Sequence, residues 1–132
     1  METRVRDAWA EWLDERNWEW FVTLTFKEEV GIVKAERLWR RWIRELNEAL
    51  DDRVGYFRVM EWQKSRKVPH FHALMLNLHG ARRLTWMDRW NALAGYARIW
   101  PYQKDKGADY YLSKYVIKSL ADYEFGGCVL RT

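Results

Sequence analysis

Eight residues, Pro69-His70-Phe71-His72-Ala73-Leu74-Met75-Leu76, constrain this chain more than any other stretch. The run is apolar and short, with two histidines in its first half, and it predicts a buried β-strand. Strand side chains alternate between faces, so His70 and His72 point one way and Phe71 and Ala73 the other. At strand rise the two imidazoles stand about 6–7 Å apart, close enough to share one metal ion. The plainer alternative is two partly buried, hydrogen-bonded histidines. The metal reading needs a third ligand and a reaction for the metal to assist. The chain has three histidines in all, and the third, His79, lies in the loop that follows.

The segments around this run alternate between two periods. Residues 3–16 predict a helix, with Val5, Ala8, Trp9, Trp12 and Leu13 at helical spacing. Residues 20–26, rich in aromatic residues and threonine with period two, predict a strand. Val22, Leu24 and Phe26 share one of its faces; Phe21, Thr23 and Thr25 share the other. Residues 33–50 predict the clearest helix, with an apolar stripe of Ala35, Leu38, Trp39, Trp42, Ile43, Leu46 and Leu50. Arg37, Arg40, Arg41 and Arg44 lie away from that stripe, as a solvated face or as phosphate contacts. Residues 56–62 predict a strand in which Phe57, Val59, Glu61 and then Gln63 share a face. The short basic loop Lys64-Ser65-Arg66-Lys67 joins it to the histidine strand as an antiparallel hairpin.

Beyond the loop from Asn77 to Arg83, Thr85 and Asp88 have the spacing of a helix N-cap pair. A helix is expected from there to about Ala94, with Gly95 as its stop. Residues 96–102 predict a strand, with Pro101 near its end or on a sheet edge. Residues 103–107 form a polar loop, residues 108–122 a last helix, and Gly126-Gly127 a flexible break. The sequence does not place the final residues.

This order is a helix, then β-α-β-β-α-β, then a helix. It predicts an α+β fold with a ferredoxin-like, split β-α-β antiparallel sheet and two helices covering one face. An N-terminal helix and a C-terminal tyrosine-bearing helix are added to it. At 132 residues the chain makes a single domain over residues 1–132. The formal charge of +4 suits a polyanionic partner. The sole cysteine, Cys128, excludes an internal disulfide and is consistent with a reducing, cytoplasmic setting inside a host cell. No apolar run is long enough to span a membrane, and the start lacks the apolar segment of a signal peptide. No glycine pattern forms a phosphate-binding loop, so no nucleotide-driven motor is expected. The ten tryptophans are mostly core residues, with a few free to stack on bases.

A third ligand is available across the hairpin. A turn centred in residues 65–66 brings the Glu61/Gln63 region opposite His70 and His72. Both Glu61 and Gln63 have the right parity, and strand register decides between them. Two imidazoles with an oxygen donor make an open site suited to Mn²⁺ or Mg²⁺, and Zn²⁺ or Co²⁺ also enter such sites. In the last helix Tyr111 and Tyr115 are four residues apart and share a face; Lys118 continues that line and Lys114 sits beside it. The plain alternative is a packing face with its hydroxyls at the surface. Taken together the groups describe phosphodiester transfer. A phenol of pKa about 10 attacks poorly when neutral, and a metal on a phosphate oxygen with cations beside the phenol lowers that barrier.

Three stretches, in chain order, resemble the HUH endonucleases and in particular the rolling-circle replication initiators. Phe21-Val22-Thr23-Leu24-Thr25-Phe26 is similar to the family's first motif, and His70-Phe71-His72 to its His-hydrophobe-His motif. Tyr111-Leu112-Ser113-Lys114-Tyr115-Val116-Ile117-Lys118 resembles its two-tyrosine motif. The resemblance covers residues 20 to 118. It implies metal-dependent, site-specific nicking and rejoining of single-stranded origin DNA through a 5′-phosphotyrosine, starting and ending rolling-circle replication of a plasmid or virus. It also implies His70, His72 and Glu61 (or Gln63) as metal ligands, Tyr111 and Tyr115 as nucleophiles, and Lys114 and Lys118 as their phosphate or phenol partners. The chain departs from many members in carrying no helicase domain, which implies a separate helicase or a longer initiator of which this is a part. A transposase or relaxase of the same superfamily shares the nicking chemistry. The rival from another class is a non-catalytic, RNA-recognition-like binding module, which accounts for the aromatics and the charge but leaves the histidines and paired tyrosines as accidents.

Overall fold

The computed structural model describes residues 3–63, 67–107, 110 and 123–127. Within them lie helix α1 (Thr3–Asp14), strand β1 (Trp20–Leu24), helix α2 (Ile32–Leu50), strands β2 (Gly55–Gln63) and β3 (Val68–Leu76), helix α3 (Arg83–Leu93), strand β4 (Ala97–Pro101), a short 3₁₀ turn (Lys104–Lys106) and strand β5 (Tyr123–Gly127). The strands form one open antiparallel sheet in the order β4-β1-β3-β2-β5. Strands β1 and β2 run parallel with β3 inserted between them, and β3 and β4 run parallel with β1 between them. This is the expected split β-α-β arrangement.

One face of the sheet packs under α2 and α3. Its core is built from Val22, Leu24, Phe71, Ala73, Met75 and Ile99 on the strands and Ala35, Trp39, Trp42, Leu46 and Trp90 on the helices. Buried indoles need partners for their N–H groups. Trp42 donates to the Trp86 carbonyl at 3.0 Å and Trp90 to the Thr25 carbonyl at 2.9 Å. Arg58 is buried on this face, donating to both Glu36 carboxylate oxygens at 2.7 and 2.8 Å and pairing with Glu124 at 2.9 Å. Its guanidinium also lies over the rings of Phe71 and Trp39. That cation ties α2 and β5 to the middle of the sheet.

The N-terminal helix takes the opposite face. Ala10 and Leu13 are buried there with Trp18, Phe57, Val59, Leu74 and Leu76, and Trp9 stacks on Phe57 with centroids 5.8 Å apart. This second, smaller core covers the end of β3 that carries Leu74 and Leu76.

Several local expectations are corrected. The Thr85/Asp88 pair caps nothing, because α3 starts two residues earlier, after Arg82, with no side-chain cap. Gly126-Gly127 is the end of a strand rather than a break, paired with Tyr56 and Gly55. A Cβ at Gly126 would run into the Tyr56 ring, so the bare backbone is what lets β5 close on β2. Strand β1 ends at Leu24, although Thr25 still donates its backbone N–H to the Tyr96 carbonyl. Of the last predicted helix, Tyr110 is helical. Tyr111, Lys114, Tyr115 and Lys118 lie outside the described residues.

Candidate functional site

The hairpin register decides where the predicted ligands stand. Strands β2 and β3 pair Glu61 with His70, Val59 with His72 and Gln63 with Val68. Directly paired residues share a face, so Glu61, His70 and His72 all project from the face opposite α2 and α3. Glu61 stands directly across from His70 and diagonal to His72. Gln63 keeps the right parity but sits one pair further along, away from His72. The expected hairpin centre, between residues 65 and 66, is the one this register requires.

His72 is buried, and its Nδ1 is hydrogen-bonded to Thr23 Oγ1 at 3.2 Å. Strand β1 supplies that hydroxyl because Thr23 is the direct pair of His72. With Nδ1 so engaged, Nε2 is the nitrogen on the Glu61 side, 3.9 Å from its carboxylate oxygen. Burial, and secondarily the charge of His70, push the His72 pKa down to about 4. The ring is therefore neutral at physiological pH, the form in which imidazole binds a metal.

The donor set fits a divalent cation in chemistry and in facing. Two donors each about 2.0–2.2 Å from one ion stand at most about 4.2 Å apart, and the His72–Glu61 separation falls within that limit. Among the described residues no group of three His, Cys, Asp or Glu side chains is already gathered as a formed cluster.

His79 belongs elsewhere. It lies beyond the far end of β3, with Nε2 2.8 Å from Asp52 Oδ2. Asp52 also accepts from the Arg53 backbone and from Asn77 Nδ2. These bonds, that of His79 first, hold the Asp52 pKa down to about 2. The group clips the α2–β2 turn to the loop after β3.

Two residues that the sequence left without a role join the histidines in one row across the sheet. Thr23 orients His72, and Arg98 on β4 pairs directly with Thr23. Only the register exposes either link, since the partners are 49 and 75 residues apart along the chain. The arginines of α2 stay on its outer side; Arg40, Arg41 and Arg44 are exposed and pair with Glu36, Glu45 and Glu48 one turn away.

Residues 19–121 match the family described as replication-associated protein ORF2. The chain belongs to that family. The match runs from the residue before β1 through β4 and onward across the two-tyrosine stretch. Membership in this replication-associated family points to a role in replication initiation. No curated protein and no solved structure matches the chain. Among the described residues no helix is long and apolar enough to cross a membrane.

Proposed function

We propose that this replication-associated protein is an HUH-type endonuclease that nicks and rejoins single-stranded origin DNA. The observation that carries the reading is the placement of His70, His72 and Glu61 on one sheet face by strand pairing, in a chain of a replication family. His70, His72 and Glu61 would hold Mn²⁺ or Mg²⁺, which when bound withdraws charge from a non-bridging phosphate oxygen. Thr23 keeps the His72 ring turned with Nε2 toward Glu61. Tyr111 supplies the phenol oxygen that forms the new P–O bond. The bond from phosphorus to the 3′ oxygen breaks, and that oxygen leaves as a free 3′-hydroxyl carrying a proton. Lys114 and Lys118 favour the phenolate and neutralise the phosphate. The 5′-phosphotyrosine conserves an ester bond, so a second attack, initiated by Tyr115, transfers the strand and ends the cycle. A separate helicase would supply melted DNA.

One assay tests the whole reading: formation of a covalent protein–DNA adduct on a single-stranded origin oligonucleotide with Mn²⁺. The doubly substituted His70→Ala/His72→Ala protein should stay folded and lose the adduct. Tyr111→Phe should lose the first adduct, and Tyr115→Phe should keep it but fail in the second transfer. Undiminished Mn²⁺-dependent adduct from the double histidine variant removes the metal site. Loss of the adduct with Tyr115→Phe alone reverses the two tyrosine roles.

A further inference from the structure

Strand β4 is an edge of the sheet, and it presents a cation and an aromatic ring on the histidine face. Arg98 pairs with Thr23, and Trp100 pairs with Phe21, so both share the face of Thr23 and His72. Trp100 is 53% exposed although tryptophan is the side chain with most to gain from burial. Arg98 is exposed too, and among the described residues no carboxylate pairs with it. This sets it apart from the α2 arginines, three of which carry an acid one turn away. A second cation borders the strand: Arg83 is exposed and donates to the Ile99 carbonyl at 3.1 Å.

Distance connects these groups to the candidate centre. At the spacing of neighbouring strands, Arg98 on β4 lies about 10 Å from His72 on β3, two strands away in the same row. Trp100 lies one same-face step further along β4, about 7 Å from Arg98. A basic group followed by an exposed ring at that step is the chemistry that holds a single-stranded nucleic acid, by phosphate contact and base stacking. A duplex offers no free base face to the ring.

We propose that Arg98 and Trp100 form a single-strand track on β4 that holds the DNA flanking the scissile phosphate, Arg98 on a phosphate and Trp100 under a base. This rests on the single-stranded DNA substrate of the proposed function. It adds a binding element outside the metal centre and the tyrosine helix.

The test is equilibrium binding of a fluorescein-labelled oligothymidylate to the full chain with divalent metal chelated, so that no cleavage occurs, across a range of salt. Trp100→Ala should weaken binding about tenfold or more, and Trp100→Phe should restore most of it because a ring is retained. Arg98→Ala should flatten the log–log salt dependence by about 0.7, the share of one phosphate contact on a single strand. Wild-type affinity and salt slope in all three variants overturn the track and leave the nicking reading standing. A Trp100→Ala loss of the same size on a fully paired duplex overturns the stacking role. No wild-type binding even at low salt overturns the track and the single-stranded substrate together.

Discussion

The two faces of the sheet are built on the same strands and reach opposite chemical outcomes. Under α2 and α3, Trp39, Trp42, Trp90, Phe26 and Phe71 are fully buried. The one strand cation on that face, Arg58, is enclosed by two carboxylates and two rings. The other face changes character along β2 and β3. It is apolar at Phe57, Leu74 and Leu76, where α1 covers it, and polar at His72, Glu61 and His70. A strand pair can thus be core at one end and a reactive surface at the other, and what changes between them is the helix cover. Polar groups on the sealed face serve cohesion, whereas those on the half-open face hold orientation and charge.

The comparison is broken most severely from the sealed side. Trp39→Ala should cost about 3–5 kcal/mol, since it empties a fully enclosed site that cannot collapse. Chemical denaturation should report this as a lowered midpoint, with nicking per folded molecule unchanged. Next comes Arg58→Met, which leaves Glu36 and Glu124 facing each other without their cation. A loss of about 3 kcal/mol is expected, and Glu36→Gln in the same background should return part of it.

A smaller effect separates the faces by pH. The folded chain holds the His72 pKa near 4, against about 6.5 for an exposed ring. Between those values the unfolded chain binds the proton more readily, so stability present above about pH 6.5 is lost as pH falls toward 4 and levels off below it. The full span is about 3 kcal/mol. Denaturation midpoints measured with metal chelated should show this limb in the native chain and not in His72→Gln. An equal acid limb in that variant would assign the loss to carboxylates instead. The smallest effect belongs to the outer side of α2. Arg44 and Glu48 are both largely exposed and 4.0 Å apart, so Arg44→Ala should shift stability by under about 0.5 kcal/mol and leave nicking untouched.

Much of the site's placement was legible before any coordinates. Parity put His70 and His72 on one face because strand alternation is local. The hairpin register followed from a short basic loop that left little freedom in where the turn falls. Glu61 and Gln63 could not be separated that way, since both have the same parity; the pairing then set Glu61 across from His70 and Gln63 across from Val68. Strand β5 escaped notice because its Gly126-Gly127 reads as a breaker, and only the Tyr56 ring explains why glycine is needed there.

The sequence by itself determined the order of elements, the split β-α-β sheet and the shared face of the two histidines. Each of these depends on spacing within one segment or across one tight turn. The tertiary structure alone decided that Thr23 orients His72, that Arg58 is sealed between α2 and β5, that α1 caps the apolar end of the histidine face and that Arg98 lies in the row of His72. Those are pairings between residues far apart in the chain. They form only when non-adjacent strands meet in register, and no local periodicity encodes which distant segment will supply the neighbour.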